Sequence, residues 1–158
     1  MTLGGWNLNK KQIVGFIVLI VIIVGYFLYE QSKKTTYEEV MANLIDKDEK
    51  VEQITVYSQI PLAMKTAAAT INDPKLINNI LNEQIKLKKV NTMNYPVIMN
   101  TLVIKTDKDS YEIGFDGNSI MIGSVRYSTT NPTVNPIYML INKDLDWEII
   151  EYTPFLWK

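Results

Sequence analysis

The sequence predicts one transmembrane helix near the N-terminus, followed by a single α+β domain in which helices pack on an antiparallel sheet of about five to seven strands. Three observations support this fold class. An apolar run extends from Ile13 to Tyr29 without a charged or amide side chain. Two later segments repeat apolar residues at helical spacing behind N-capping residues, and most of the remainder alternates apolar and polar residues between turn dipeptides.

The apolar run is long enough to cross a bilayer. At about 1.5 Å per residue it reaches roughly 26 Å, and Gln12 and Glu30 at its ends extend it toward the 30 Å or so of a hydrocarbon core. Its Ile, Val, Leu and Phe side chains favour insertion by on the order of 5–6 kcal/mol. The alternative, a buried core helix, is disfavoured because the segment is apolar around its whole circumference. We predict a transmembrane helix over residues 12–30.

A cleaved signal peptide is the second alternative. The run exceeds the usual apolar region of about 7–15 residues, and Glu30 to Lys34 contain no small-x-small pair for a signal peptidase. The chain has no cysteine, which excludes lipid attachment through that side chain. We therefore expect an uncleaved signal anchor.

Orientation follows from the residues that flank the run. Lys10 and Lys11 nearly match Lys33 and Lys34, but the α-amino group joins the first pair, and a long domain is translocated largely regardless of its charge. We expect a single-pass protein of the cell membrane, with residues 1–11 as a short cytoplasmic N-terminus and residues 35–158 as an extracytoplasmic domain. The abundance of Lys, Ile and Asn indicates AT-rich coding and a bacterial source.

The composition of the domain argues against several function classes. Four of the 16 basic residues and one of the 17 acidic residues precede Thr35, so the rest of the chain carries a net charge of about −4. This balance disfavours a nucleic-acid partner, because no excess of positive charge is present to neutralise phosphates. The chain contains no histidine and no cysteine, the commonest general base and the commonest soft metal ligand. We predict no enzymatic activity, no cofactor and no metal site.

The first helix of the domain is predicted to begin after Thr36. Thr36 and Glu39 form a capping box, and the charged stretch from Asp46 to Lys50 ends the helix. The apolar stripe is Tyr37, Val40, Met41, Leu44 and Ile45. A helix lying on the membrane surface or on a partner is the alternative, and the acidic polar face disfavours anionic lipid.

The span, the Tyr37–Glu39 helix start and the segment Val51–Val56 together resemble the start of the extracytoplasmic segment in AAA-type membrane proteases. No G-x-x-x-x-G-K-[ST] motif for nucleotide follows within these 158 residues. The resemblance therefore does not extend to protease function, and we assign no family.

Two strands and a second helix are expected next. Val51–Tyr57 alternates as a strand, and Leu62–Ile71 returns as its partner after a bend at Ile60-Pro61. Asp73 is a good N-cap and Pro74 suits the first helical position. The helix stripe is Leu76, Ile77, Ile80, Leu81 and Ile85. Lys86–Lys89 is interpreted as the solvated end of this helix, with contact to an anionic surface as the alternative.

The following residues predict an antiparallel meander. Val97–Thr106 is a strand, residues 107–109 form a turn, and residues 111–115 alternate as a second strand. Asp116-Gly117 is a hairpin dipeptide that leads into one further strand, Ser119–Tyr127. Beyond it we expect a strand over Ile137–Ile141 and a short helix near residues 143–151.

Candidate sites are few. Asp107-x-Asp109 and Asp144-x-Asp146 superficially suggest cation binding, but neither has the glycine and closing glutamate of a calcium loop, so a hairpin turn and a helix start are the preferred interpretations. A hydrolase would need two carboxylates facing each other across a cleft, and no spacing singles out such a pair.

Two segments are candidate interaction sites. The loop Thr129–Pro136 contains two Asn-Pro steps, and exposed loops often carry binding residues, here Asn131, Thr133 and Asn135. A passive connection is the alternative. The apolar C-terminal segment contains Phe155 and Trp157, which either pack on the core or form an exposed patch for a partner or the membrane.

These observations favour a non-catalytic binding module anchored in the lipid bilayer, whose partner is a protein or a component of the cell envelope. Tethering raises its effective concentration near partners in the same membrane. An accessory subunit of a membrane complex is one alternative, and a carboxylate-dependent hydrolase is another.

Overall fold

A computed structural model describes residues 9–60, 65–91, 98–129, 140 and 145–151 of the chain. Its contacts divide the chain into two units, Met1–Lys34 and Thr35–Lys158. The first unit holds one long helix, α1, and the second holds two short helices and nearly all of a β-sheet.

Helix α1 covers Lys10–Ser32. Asn9 caps its start: the Asn9 side chain accepts a hydrogen bond from the Lys11 amide at 3.3 Å, and Gln12 Oε1 accepts one from the Asn9 amide at 2.9 Å. Within the described residues it is the one helix long and apolar enough to cross a membrane. A helix of this kind near an N-terminus is compatible with a membrane anchor or with a signal sequence.

Nine strands form one sheet in the described part of the domain. In chain order they are β1 Lys34–Thr36, β2 Val51–Ile60, β3 Lys65–Ile71, β4 Lys86–Val90, β5 Asn100–Thr106, β6 Ser110–Asp116, β7 Ser119–Ile122, β8 Val125–Thr129 and β9 Glu148–Glu151. Across the sheet their order is β1-β4-β8-β7-β6-β5-β2-β3-β9, and neighbours from β4 to β9 run antiparallel. The α+β class is confirmed, but the predicted count of about five to seven strands is wrong.

One extra strand arises at a glycine turn. The segment predicted as a single strand, Ser119–Tyr127, is divided into β7 and β8, with Ile122 paired to Val125 around the two-residue loop Gly123-Ser124. Gly123 has a φ of +55°, which glycine adopts without steric cost. The preceding hairpin, between β6 and β7, likewise has Gly117 at a φ of +53°.

A second extra strand replaces the predicted basic end of a helix. Lys86–Lys89 belongs to β4, in which Leu87 is buried between exposed neighbours. Leu87 lies opposite Thr129 of β8, so pairing across the sheet overrides the helical pattern. Ile85, assigned to the helix stripe by its spacing, is buried after the helix has ended.

The third correction concerns the end of the described chain. The short helix predicted near residues 143–151 is wrong over the described residues 145–151, because residues 145–147 are not helical and Glu148–Glu151 forms β9 and pairs with β3. Residues 141–144 lie outside the described residues. Of the strand predicted over Ile137–Ile141, only Leu140 is described, and it is buried.

The two short helices begin where the capping residues predict. Helix α2, Tyr37–Leu44, has both bonds of the capping box: the Glu39 amide donates to Thr36 Oγ1 at 3.2 Å, and the Thr36 amide donates to Glu39 Oε2 at 3.1 Å. Helix α3, Pro74–Leu81, is capped by Asp73, whose carboxylate accepts a hydrogen bond from the Lys75 amide at 3.0 Å.

The hydrophobic core joins these helices to the sheet. Cross-strand pairing aligns Val56, Leu102, Ile113 and Ile122 in one row on β2, β5, β6 and β7. Buried residues of the helices belong to the same cluster, namely Tyr37 and Met41 of α2 and Ile77 and Ile80 of α3. The helices therefore bury their apolar stripes together with one side of the sheet.

Substitution of Gly123 tests the turn between β7 and β8. We expect Gly123→Ala to lower the free energy of unfolding by about 1–2 kcal/mol, because a side chain disfavours the left-handed backbone conformation. Urea unfolding of the full chain in detergent micelles, followed by circular dichroism, measures the loss. Ser124→Ala in the same exposed loop is the matched control, and equal stability of the two variants would contradict this account of the turn.

Candidate functional site

The surface of α1 is the largest apolar feature of the described structure. Every large apolar side chain from Ile13 to Tyr29 is 44% to 67% exposed. Apolar surface left in water costs roughly 25 cal/mol per Å². The helix therefore requires an apolar environment around its whole circumference.

The C-terminal end of α1 carries a compact polar cluster. Lys33 Nζ donates to Glu30 Oε1 at 2.8 Å and lies 4.0 Å from the centroid of the Tyr29 ring. The Ser32 hydroxyl donates to the Tyr29 carbonyl at 2.8 Å. Aromatic and basic side chains of this kind are enriched where a membrane helix meets water.

In the domain, Glu49 links the segment after α2 to the β5–β6 hairpin. Its carboxylate accepts hydrogen bonds from the Tyr111 hydroxyl at 2.9 Å and from Thr106 Oγ1 at 2.7 Å. Beside it, the Lys50 amide donates to Asp107 Oδ1 at 2.9 Å, and the Asp107 amide donates to the Lys50 carbonyl at 3.0 Å. We call these five residues the Glu49 clamp.

The structure places three of the four aspartates that were considered for cation binding. Asp107 and Asp109 lie in the turn between β5 and β6, as the preferred interpretation predicted, and the Asp109 carbonyl accepts a hydrogen bond from the Thr106 amide at 2.9 Å. Asp146 is exposed, and Asp144 lies outside the described residues. Within the described ranges, no group of three or more acidic residues is placed to hold a metal ion.

The face of the sheet opposite the hydrophobic core row carries a second polar contact. Arg126 of β8 donates to Ser119 Oγ from Nη2 at 2.8 Å and from Nε at 3.2 Å, and Ser119 is buried. Ile98 covers this face at Gly114, where an added Cβ would lie 3.0 Å from the Ile98 side chain. Both faces of the central strands are thus at least partly covered, which the alternating pattern did not predict.

The edge of the sheet presents an apolar residue that the sequence analysis missed. β9 is the last strand of the sheet, and its Ile149 is 64% exposed. Outside α1, no other large apolar side chain of the described residues is comparably exposed. The predicted helix concealed this feature. The available signal was a pair of β-branched residues between glutamates, a composition suited to a short strand.

The interaction residues predicted from sequence cannot be placed. Asn131, Thr133, Asn135, Phe155 and Trp157 all lie outside the described residues, and their roles remain predictions.

The chain matches no protein-family model, no curated protein and no solved structure.

The Glu49 clamp makes a pH-dependent contribution to stability. The hydrogen bond to the Glu49 carboxylate raises the pKa of Tyr111 to about 12, above the value of about 10 for an unfolded chain. A raised pKa in the folded state means that this stability is fully present below pH 10 or so and is lost as the pH rises through about 12.

We expect Tyr111→Phe to lower the urea midpoint at pH 8, where the bond is intact, and to have progressively less effect from pH 10 to pH 12. Unfolding curves of the wild-type chain and the variant at these pH values measure the difference. Glu49→Gln is the matched variant, because a neutral amide keeps an acceptor but removes the charge that raises the pKa. A difference in urea midpoint between the wild-type chain and Tyr111→Phe that stays the same from pH 8 to pH 12 would contradict this pH dependence.

Proposed function

We propose that this chain is a single-pass membrane protein in which α1 is an uncleaved signal anchor, and that residues 35–158 form a non-catalytic interaction module outside the cell membrane of a bacterium. The observation that carries the proposal is the exposure of every large apolar side chain along α1. A bilayer supplies the apolar environment that such a helix requires.

Retention of α1 as an anchor is supported by the residues that follow it. No small-x-small pair lies between Glu30 and Lys34, where a signal peptidase would cut after such a run. The sheet begins at Lys34, the first residue of β1, and the capped helix α2 begins at Tyr37. Cleavage after Lys34 would shorten β1, the first described strand of the chain.

The lysines at the two ends of α1 are balanced in number, since Lys10 and Lys11 lie at its start and Lys33 and Lys34 follow it. The positive-inside rule counts Lys and Arg and gives Asp and Glu little weight, so the ion pair of Lys33 with Glu30 does not change this balance. The proposed cytoplasmic N-terminus is supported by the length of residues 35–158, because a long domain is translocated largely regardless of its charge.

A binding role is supported by the chemistry of the domain. The chain has no histidine or cysteine, and the carboxylate of Glu49 accepts hydrogen bonds from two side-chain hydroxyls within the fold. Because both hydrogen bonds come from other segments of the domain, this carboxylate supports a structural role and not a catalytic one. Anchoring such a module raises its effective concentration near proteins or envelope components at the same membrane.

The absence of native cysteine allows a direct test of orientation. Ser124 is exposed in the β7–β8 loop, so Ser124→Cys should be labelled by a membrane-impermeant maleimide on intact cells. Thr2→Cys should be labelled only after the cells are permeabilised. The wild-type chain is the unlabelled control. Labelling of Thr2→Cys but not of Ser124→Cys on intact cells would refute the proposed orientation.

A further inference from the structure

We propose that the outer edge of β9 is a docking site for an extended, positively charged segment of a partner protein, which pairs with β9 as an added strand. The inference rests on the proposed interaction module and names the class of partner that it binds. Pairing of an extended peptide with an exposed sheet edge is a recurring mode of recognition, in which backbone hydrogen bonds give affinity and side chains give specificity.

The backbone of β9 is paired on one side. Lys65, Thr66, Ala67 and Ala68 of β3 lie opposite Glu151, Ile150, Ile149 and Glu148 in a continuous antiparallel register. On the other side the described residues contribute no strand, since β9 ends the sheet order. Within the described residues, its outward amide and carbonyl groups thus have no strand partner, and such groups are a template for pairing.

The edge carries charge but has a regular backbone. Exposed edge strands are protected by short length, charged side chains, proline or a bulge, and β9 has the first two of these features only. β9 has the sequence Glu-Ile-Ile-Glu, and its register with β3 shows no shift. The strand is thus regular over its whole length.

The same edge strand has one exposed apolar side chain, Ile149. Ile149 is 64% exposed, and it lies opposite Ala67, whose single methyl group is too small to cover it. An added strand with a β-branched residue opposite Ile149 covers the exposed surface. Cross-strand pairs of this type contribute roughly 0.2–1 kcal/mol each.

The charge of the edge selects a basic partner. Asp146, which precedes β9, and Glu148, its first residue, are both exposed. A lysine or arginine opposite Glu148 forms a favourable cross-strand pair, whereas a second acidic residue is repelled. Acidic residues also disfavour an anionic lipid surface as the occupant.

A second copy of β9 is a poor occupant for the same reason. In an antiparallel pair that uses all four residues, Glu148 of each copy lies opposite Glu151 of the other. Two like-charge pairs then flank the isoleucines, which destabilises the pairing. The edge therefore favours a different polypeptide over self-association.

A designed peptide tests the proposal on the full chain in zwitterionic detergent micelles. The probe is dye-labelled TTKVIKTT, which places lysines opposite both glutamates, and its charge-reversed counterpart is TTEVIETT. Fluorescence anisotropy measures binding. We expect the basic peptide to bind at least about fivefold more tightly than the acidic one, because the two peptides differ in the sign of both cross-strand charge pairs.

Three variants locate the site. Ile149→Lys should weaken binding of TTKVIKTT by about fivefold or more, because a lysine on an edge strand disfavours pairing with another strand. Glu148→Lys should remove most of the preference for TTKVIKTT, because each peptide then makes one favourable and one repelled charge pair with β9. Glu112→Lys makes the same charge change at an exposed position of β6, inside the sheet, and should leave binding unchanged.

Circular dichroism first confirms that each variant retains the wild-type fold, and a variant that unfolds is replaced by Ile149→Thr or Glu148→Gln. Equal affinity for the two peptides, equal loss in Glu112→Lys, or self-association of the chain without peptide binding would each overturn the proposal. A chain that is anchored as proposed but fails to bind TTKVIKTT refutes only this inference, because orientation is measured separately by cysteine labelling.

Discussion

The exposure of α1 is the constraint on which the rest of this account depends. A helix that is apolar around its whole circumference is unfavourable in water, and the described residues of this unit, 9–34, contain no other helix that could cover it. A bilayer removes the cost for every residue from Ile13 to Tyr29. In the proposed arrangement, the anchor holds the domain at the membrane and raises its effective concentration near partners in the same bilayer.

Within the domain, stability depends on contacts between distant parts of the sequence. The core row of Val56, Leu102 and Ile113 joins three strands, and the Glu49 clamp joins the segment after α2 to the β5–β6 hairpin. These contacts secure the centre of the sheet. β9 at the edge is paired with β3 alone among the described strands, which leaves one side of it for recognition without disturbing the core.

The sequence predicted the features that have local causes. Helices α2 and α3 begin at the capping residues Thr36 and Asp73, because a cap and the first turn are only a few residues apart. β4 and β9 were mistaken for helical segments because their strand character depends on partners, Thr129 for Leu87 and Ala67 for Ile149, that are distant in the chain. Exposure of Ile149 could not be predicted for the same reason. The candidate residues in the loop after β8 and at the C-terminus remain predictions.

Intact mass spectrometry of the protein extracted from cell membranes tests the central claim most directly. A retained anchor predicts a product of 18.2 kDa that stays with the membranes in alkaline carbonate and requires detergent for release. A soluble product that lacks α1 would contradict the account, because it would show that the apolar helix is a cleaved signal and that the domain is not held at the bilayer.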